Sequence, residues 1–234
     1  RLDAAYSVNP EFWAAVLPSV REKYPDVWIF GEVIHGDYAS IVRASGMDSV
    51  TQYELWKGIW SSIESRNFFE LDHALGRHNE FSDAFTPMTF VGNHDVTRIA
   101  SRVGQDGAVL ATAILATIGG IPLIYYGDEL AYRGVKEERF GADDDIRPVF
   151  PASPADLSNL GADTLRAHQS LLGLRRRHPW LVDARTESLD LTNERYVYRT
   201  GVPGVEPLIV ELDVRDGCSV LIREAGQVVW SSGA

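Results

Sequence analysis

A short apolar run that ends in glycine and is followed at once by a polar, usually acidic, residue recurs along the chain. Residues 27–32, 88–95 and 123–129 follow this pattern. Continuous apolar runs are typical of strands that are buried on both faces, as in parallel sheets. The polar residue always stands at the carboxyl end of its run. The pattern therefore predicts parallel strands that carry functional groups at one common edge.

Amphipathic segments between these runs predict helices. Residues 55–63, 109–118 and 164–177 have helical spacing, and a further helix begins at residues 9–10 with a kink or break expected at Pro18. Strands that alternate with helices indicate an α/β fold. Polar residues at the carboxyl ends of the strands favour a (β/α)8 barrel. A doubly wound sheet is the alternative, but no glycine-rich phosphate-binding motif follows a strand.

The local composition of the sequence changes after Asp183. Segments rich in β-branched residues, separated by Gly, Asn and Asp, cover residues 194–200, 207–213, 219–223 and 227–230. Such segments are typical of a small antiparallel β module. We therefore expect two domains, the first over residues 1–182 and an antiparallel β domain over residues 183–234.

Composition excludes several classes of protein. The 22 basic and 33 acidic residues give a net charge of −11, which argues against a nucleic-acid partner. No apolar run approaches the roughly 20 residues of a membrane helix, so we expect no membrane partner. The single cysteine, Cys218, favours a reducing, cytoplasmic location. Because the chain opens at Arg1, we expect it to be a processed or excised piece.

Three carboxylates follow the proposed strands, and the barrel would direct them into one mouth. These are Asp3, Glu32 and Asp95. Two carboxylates in one pocket are not both comfortably ionised, so one becomes a proton donor and the other stays anionic. Glycoside hydrolysis needs this division of labour.

The residues around these acids resemble a known family. Residues 1–5 (Arg-Leu-Asp-Ala-Ala), 30–33 (Phe-Gly-Glu-Val) and 90–95 (Phe-Val-Gly-Asn-His-Asp) are similar to the second, third and fourth sequence regions of the α-amylase family of glycoside hydrolases. All three occur in the family's order. The resemblance implies an incomplete (β/α)8 TIM barrel, strands 4–8, followed by a small antiparallel β domain.

The resemblance also implies roles for the acids and their neighbours. Asp3 would be the nucleophile that forms a covalent glycosyl–enzyme intermediate, and Glu32 would be the general acid and then the base. Asp95 would hold sugar hydroxyls and stabilise the transition state. Arg1 would keep Asp3 ionised, and His94 would donate to a sugar hydroxyl. The configuration at the anomeric carbon would be retained.

A second group of residues is expected to bind substrate. Asn93 belongs to the fourth region, and His35 could line the acceptor side. Tyr53 could stack on a sugar. Asp143 and Arg147 look like the family's pair on the non-reducing side of the cleaved bond, where an arginine can bind two hydroxyls.

The family's barrel begins three strands earlier than this chain. An open parallel edge would expose unpaired backbone and core. We therefore expect a second chain or fragment that supplies barrel strands 1–3. The expected substrate is an α-glucan or maltooligosaccharide. The chemistry requires no cofactor, and calcium as a supporting ion is left open.

Three alternative functions remain. A transglycosylase would use the same covalent intermediate, with a sugar in place of water. A catalytically inert, amylase-like fragment would act as a binding subunit. A metal-dependent barrel hydrolase would need histidine ligands at strand ends, where only His35 and His94 occur, and is disfavoured.

Overall fold

Helices and short parallel strand segments precede a C-terminal antiparallel sheet in the computed structural model, which describes residues 1–139 and 141–232. The α-helices are α1 (Pro10–Lys23), α2 (Tyr38–Ser45), α3 (Tyr53–Glu64), α4 (Phe68–Ser82), α5 (Ile99–Thr117), α6 (Asp143–Ile146) and α7 (Ala162–Arg177). The strands are β1 (Phe30–Gly31), β2 (Ser49–Val50), β3 (Met88–Phe90), β4 (Ile121–Leu123), β5 (Arg185–Leu191), β6 (Arg195–Gly201), β7 (Leu208–Asp213), β8 (Ser219–Glu224) and β9 (Gln227–Ser231). Short 3-10 helices cover Ala5–Ser7, Asp128–Leu130, Pro154–Asp156, Asn159–Gly161 and Pro179–Asp183.

The N-terminal strand segments form one parallel row in chain order. Leu2 bridges Gly31, β1 pairs with β2, Thr51 bridges Met88, and β3 pairs with β4. A doubly wound sheet reverses its strand order at one point, and the row of described segments contains no such reversal. Sequential order with helices between the strands is the order of a barrel wall.

The strands are shorter than the apolar runs that predicted them. The run at residues 123–126 predicted a strand, whereas β4 ends at Leu123. Ile124 and Tyr125 continue the apolar run because they pack against neighbours beyond the ladder, Ile124 on the main core and Tyr125 at a cavity described below. Hydrophobicity marks burial, and it does not mark where strand pairing stops.

The predicted helices at residues 55–63, 109–118 and 164–177 are confirmed as parts of α3, α5 and α7. Of the kink or break expected at Pro18, the break is wrong, because α1 runs through this residue. Pro18 lacks the N–H that would bond to the carbonyl of Ala14. Both residues are exposed, so water can satisfy that carbonyl.

The core lies between helices α3, α4, α5 and α7 and one face of the C-terminal sheet. Leu110, Ile114, Leu171 and Leu174 are fully buried there, and burial of each such side chain contributes about 1.5–3 kcal/mol. None of the helices in residues 1–139 and 141–232 has the length and apolar character that a membrane crossing requires.

The C-terminal sheet is antiparallel with the order β5-β6-β7-β8-β9, as the prediction of an antiparallel β domain required. In β7 the side chains of Leu208, Val210 and Leu212 alternate inward and are fully buried. The strand β5 was not predicted. Most of its residues are exposed, so its sequence lacks the period-two alternation that reveals a half-buried strand.

Candidate active site

The acids singled out in the sequence follow parallel strand segments. Asp3 follows the bridge at Leu2, Glu32 follows β1, and residues 93–95 follow β3. Parallel strands have their carboxyl ends at the same edge. The fold therefore brings these side chains to one face of the row.

The Arg1 guanidinium contacts both Asp3 and Glu32. Its Nη1 lies 2.5 Å from Asp3 Oδ1, and its Nη2 lies 3.2 Å from Glu32 Oε1. The main-chain N–H of Ala4 donates to Glu32 Oε2 at 2.8 Å, so both oxygens of Glu32 are held. The two acids have different surroundings, because the Asp3 side chain is 76% exposed and that of Glu32 only 10%.

Asp95 is held by His94 and Arg147. His94 Nε2 lies 3.1 Å from Asp95 Oδ2, and Arg147 Nη2 lies 2.9 Å from Asp95 Oδ1. The Nε of Arg147 donates to the carbonyl of His94 at 2.7 Å. One arginine thus ties the long segment between β4 and α7 to the loop after β3.

Asp143 joins the same group of charges. Its Oδ2 lies 2.9 Å from Arg147 Nη2, so the predicted pair at residues 143 and 147 meets Asp95. Lys136 also bonds to Asp143, and this hydrogen bond lowers the pKa of Asp143. The carboxylate of Asp143 therefore stays ionised and available to fix Arg147.

Tyr53 is buried, and its hydroxyl is the part that faces the site. The ring is 8% exposed and meets Trp56 and Phe90 edge-on, with centroids 5.6 and 4.9 Å away. The stacking of a sugar on this ring stays a prediction, and the contacts with Trp56 and Phe90 leave little of the side chain exposed. Asn93 Nδ2 donates to the Tyr53 hydroxyl at 2.9 Å. Burial, with the nearby charges of Glu32 and Asp95, raises the pKa of Tyr53 to about 12.

A cavity of about 170 Å³ opens at these strand ends. Its walls are formed by Arg1, Glu32, Thr51, Tyr53, Met88, Phe90, Asn93, His94, Leu123 and Tyr125. Asp3 and Asp95 are outside this lining and contact it through Arg1 and His94. A larger cavity of about 710 Å³ lies between α5, α7 and the C-terminal sheet. That cavity contains none of the predicted site residues, so size alone does not locate the site.

His35 is not brought into the cavity. It is exposed, and its ring lies 6.2 Å from the ring of Tyr6. Any contact of His35 with a ligand would therefore lie outside the cavity, on the side of Tyr6.

A buried ion pair beneath the site was not predicted from the sequence. Arg98 Nη1 lies 3.0 Å from Asp128 Oδ1, and both side chains are almost fully buried. Arg98 also donates to the carbonyls of Ile146 and Tyr126 at 2.9 and 2.6 Å, which anchors the segment that carries Arg147. Burial, opposed by Arg98, raises the pKa of Asp128 to about 6. In the sequence, the one sign of this ion pair is the position of Asp128, directly after the glycine that ends an apolar run.

Gly92 must be glycine because of this pair. A Cβ at Gly92 would lie 2.3 Å from Asp128 Oδ2, a distance that side chains do not reach. The loop that carries residues 93–95 is therefore seated directly on the carboxylate of Asp128.

No group of three His, Cys, Asp or Glu side chains within residues 1–139 and 141–232 is arranged to hold a metal ion. The acids of the site are instead paired with Arg1, Arg147 and His94. The acids of this site therefore do not fit a calcium site.

The fold and site define an α/β protein of the barrel class, with carboxylates at the strand ends and an antiparallel sheet after the barrel helices. The family model of the α-amylase catalytic domain matches residues 6–186. The chain therefore belongs to the α-amylase family. Its row of parallel strands with helices and its C-terminal antiparallel sheet agree with that family's fold, a TIM barrel followed by an antiparallel sheet domain.

Individual relatives agree with this assignment. The maltogenic α-amylase of Bacillus acidopullulyticus is 31% identical over 193 residues, which are 78% of this chain and 31% of that enzyme. The 4-α-glucanotransferase of Thermotoga maritima is 40% identical over 134 residues, 56% of this chain and 29% of that enzyme. The structure of cyclic α-maltosyl-(1→6)-maltose hydrolase from Arthrobacter globiformis matches with a TM-score of 0.79 at 20% identity, covering 99% of this chain and 54% of that one. The chain thus spans about a third of these curated relatives and about half of that structure.

Proposed function

We propose that this chain carries the catalytic acids of a retaining glycoside hydrolase that cleaves α-1,4-glucosidic bonds in α-glucans or maltooligosaccharides. The contact of one guanidinium, that of Arg1, with both Asp3 and Glu32 carries the proposal. It joins an exposed carboxylate and a nearly buried one at the ends of neighbouring parallel strands. Retaining glycosidases need two such acids about 5–5.5 Å apart.

In the first step the Asp3 carboxylate attacks the anomeric carbon while Glu32 gives its proton to the glycosidic oxygen. A bond from Asp3 to the sugar forms as the glycosidic bond breaks. Glu32, now ionised, then takes a proton from water, whose oxygen attacks the anomeric carbon and releases Asp3. Arg1 forms a charge-assisted hydrogen bond with Asp3. The N–H of Ala4 and Arg1 hold Glu32 in a fixed orientation.

Substrate binding is proposed for the residues around Asp95. Asp95 and His94 would bind hydroxyls of the reacting sugar, and the Arg147–Asp143 pair would bind the sugar on its non-reducing side. Arg147 contacts the carbonyl of His94 and the carboxylates of Asp95 and Asp143. It can therefore orient Asp95 and a hydroxyl of the sugar at the same time. His35 stays a proposal for the acceptor side, at the exposed edge near Tyr6.

Transglycosylation is the second candidate function. The 40% identity to a 4-α-glucanotransferase favours it. The covalent intermediate would be the same, and a sugar hydroxyl would replace water in the second step. A catalytically inert binding subunit is the third candidate. The pairing of all three acids with Arg1, His94 or Arg147 argues against it.

We further propose that residues 1–182 are the C-terminal part of the barrel, strands 4–8, that residues 183–234 are a separate β domain, and that a second chain or fragment supplies strands 1–3. Among the described residues β4 pairs only with β3, and its three side chains are only half-buried. An unpaired parallel edge needs covering. We expect the isolated chain to aggregate or be inactive. If size-exclusion chromatography and native mass spectrometry show a well-folded monomer, the proposal of a second chain or fragment is contradicted.

The test of the activity is Asp3→Asn in the intact protein that contains this chain. We expect hydrolysis of a chromogenic maltooligosaccharide to fall by about 10³-fold or more, since the nucleophile is lost. Unchanged hydrolysis would overturn the assignment of Asp3. Added maltose as acceptor separates the two candidate activities, because a transferase forms longer products.

The cytoplasmic location stays a prediction that cell fractionation tests.

A further inference from the structure

Both ends of the Asn93 side-chain amide are occupied inside the protein. Its Nδ2 donates to the Tyr53 hydroxyl at 2.9 Å, and its Oδ1 accepts the main-chain N–H of Asp95 at 2.9 Å. The second bond closes a local turn of the kind that asparagine favours. Asn93 thus links a side chain on α3 to the backbone that carries Asp95, and it was expected from the sequence only to bind substrate.

Tyr53 is a fixed point in this link. It is the first residue of α3, two positions after Thr51, the residue that bridges β2 to β3. Its ring packs edge-on against Trp56 and Phe90, which also contact each other, and its N–H donates to the carbonyl of Thr51 at 3.1 Å. The hydroxyl oxygen therefore cannot move without repacking of the core around Phe90, which is 1% exposed.

Asp95, by contrast, lies in a segment without regular structure. Its side chain is 38% exposed, as is that of Arg147. Ion pairs between such exposed groups are weak and permit several geometries. The peptide group between His94 and Asp95 is held on both sides: its N–H donates to Asn93 Oδ1, and its carbonyl accepts from the exposed Arg147. Of these two partners, only Asn93 is tied to the buried Tyr53.

We propose that Tyr53 is a positioning residue that, through Asn93, sets the backbone of Asp95 and so the direction in which the Asp95 carboxylate meets the reacting sugar. The inference deepens the proposed function and rests on it. The packing of the core holds the Tyr53 hydroxyl oxygen in place. Asn93 donates to that oxygen through Nδ2 and accepts the N–H of Asp95 through Oδ1. The position of the Asp95 backbone therefore depends on that of Tyr53. A small displacement of a transition-state group reduces the rate more than the binding of substrate.

The experiment is steady-state kinetics of Tyr53→Phe in the intact protein, with a chromogenic maltooligosaccharide. The ring stays, so only the acceptor for Asn93 is lost. We expect kcat to fall about tenfold, as for loss of one buried hydrogen bond, with a clearly smaller change in KM. Asn93→Ala should lower kcat at least as much. Because both variants break one link, Tyr53→Phe combined with Asn93→Ala should be no worse than Asn93→Ala alone.

Tyr198→Phe is the matched control. Its buried hydroxyl also has a single partner, Thr117 at 2.7 Å, but on the C-terminal sheet. We expect a similar loss of thermal stability with unchanged kcat. Additive losses in the Tyr53–Asn93 pair, or a Tyr53→Phe enzyme that loses only stability, would overturn the inference. If Asp3→Asn retains full turnover, the proposed function itself fails. If Asp3→Asn is inactive and Tyr53→Phe is normal, only the role of Tyr53 fails.

Discussion

The strand-end face and the interface between the helices and the C-terminal sheet use polar groups in opposite ways. At the strand ends, Asp3 and Asp95 keep 76% and 38% of their side chains exposed. At the interface, the Tyr198 hydroxyl is bonded to Thr117, and Arg175 is bonded to the carbonyls of Ala116, Ile118 and Gly120. These two interface groups, Tyr198 and Arg175, are buried, and both have their partners within the fold.

This difference separates stability from activity. A buried polar group stabilises a fold only when its hydrogen bonds are made inside it. An exposed acid between an arginine and open solvent contributes little to stability, yet it can still bind a ligand. We therefore expect substitutions at the strand ends to change rates and substitutions at the interface to change stability.

The largest expected effect is on the rate, from Glu32→Gln. Glutamine keeps the size of the side chain and loses the proton donor, so kcat on a maltooligosaccharide should fall by about 10³-fold. Because Glu32 is nearly buried and bonded to Arg1 and the N–H of Ala4, the free energy of unfolding should also fall, by about 1–2 kcal/mol. Kinetics and thermal unfolding of the same preparation check both numbers. A large loss of stability would break the proposed separation of the two regions.

Leu174→Ala should have the reverse effect. Leu174 is 0% exposed in the core between α7, α5 and the sheet. Its truncation leaves a cavity and should lower the free energy of unfolding by roughly 2–5 kcal/mol, with kcat per folded molecule unchanged. Denaturant unfolding measures the first quantity. The control is Leu189→Ala, on the exposed part of β5, which should change stability by about 0.5 kcal/mol or less.

His78→Gln should alter how stability depends on pH. Burial of His78 lowers its pKa from 6.5 to about 4, and the neighbouring Arg175 and Arg185 act in the same direction. Between pH 6.5 and about 4, His78 therefore binds a proton in the unfolded chain but stays neutral in the native state. As a result, the free energy of unfolding decreases as the pH falls through this range. The share of His78 in that loss is about 3 kcal/mol.

Glutamine can still donate to the carbonyl of Gly119, the partner of His78 Nε2, but it does not titrate. The difference in unfolding free energy between wild type and variant should therefore shrink or reverse between neutral pH and pH near 4. Denaturant unfolding at several pH values measures it. Parallel pH curves for the two proteins would contradict the assignment of this slope to His78.

The smallest expected effect comes from Arg147→Lys. Lysine cannot reach Asp95, Asp143 and the carbonyl of His94 at once. We expect kcat/KM to fall about tenfold, with stability changed by less than about 1 kcal/mol. Arg139→Lys is the control, since Arg139 forms exposed ion pairs with Glu137 and Asp145 in the same segment. An equal fall of kcat/KM in the two variants would contradict the role of Arg147 in the site.

Much of the fold could be predicted because it is encoded in local patterns. The helices α3 and α7 follow from their apolar spacing, and β7 follows from the alternation of Leu208, Val210 and Leu212. The strand β5 could not be predicted, since its exposed residues carry no pattern. The continuity of α1 through Pro18 depends on which side of the helix faces solvent, and a linear sequence does not specify that.

For the site, the amino-acid sequence alone determined the residue types and their order along the chain: an acid after each of several apolar runs, and an asparagine and a histidine two and one positions before Asp95. These depend on neighbours in the chain. Only the tertiary structure decided that Tyr53 is buried with its hydroxyl bonded to Asn93, that His35 stays outside the cavity, and that Arg98 and Asp128 form a buried pair beneath Gly92. Each of these depends on burial and on contacts between residues far apart in sequence, which arise only when the strands are brought side by side.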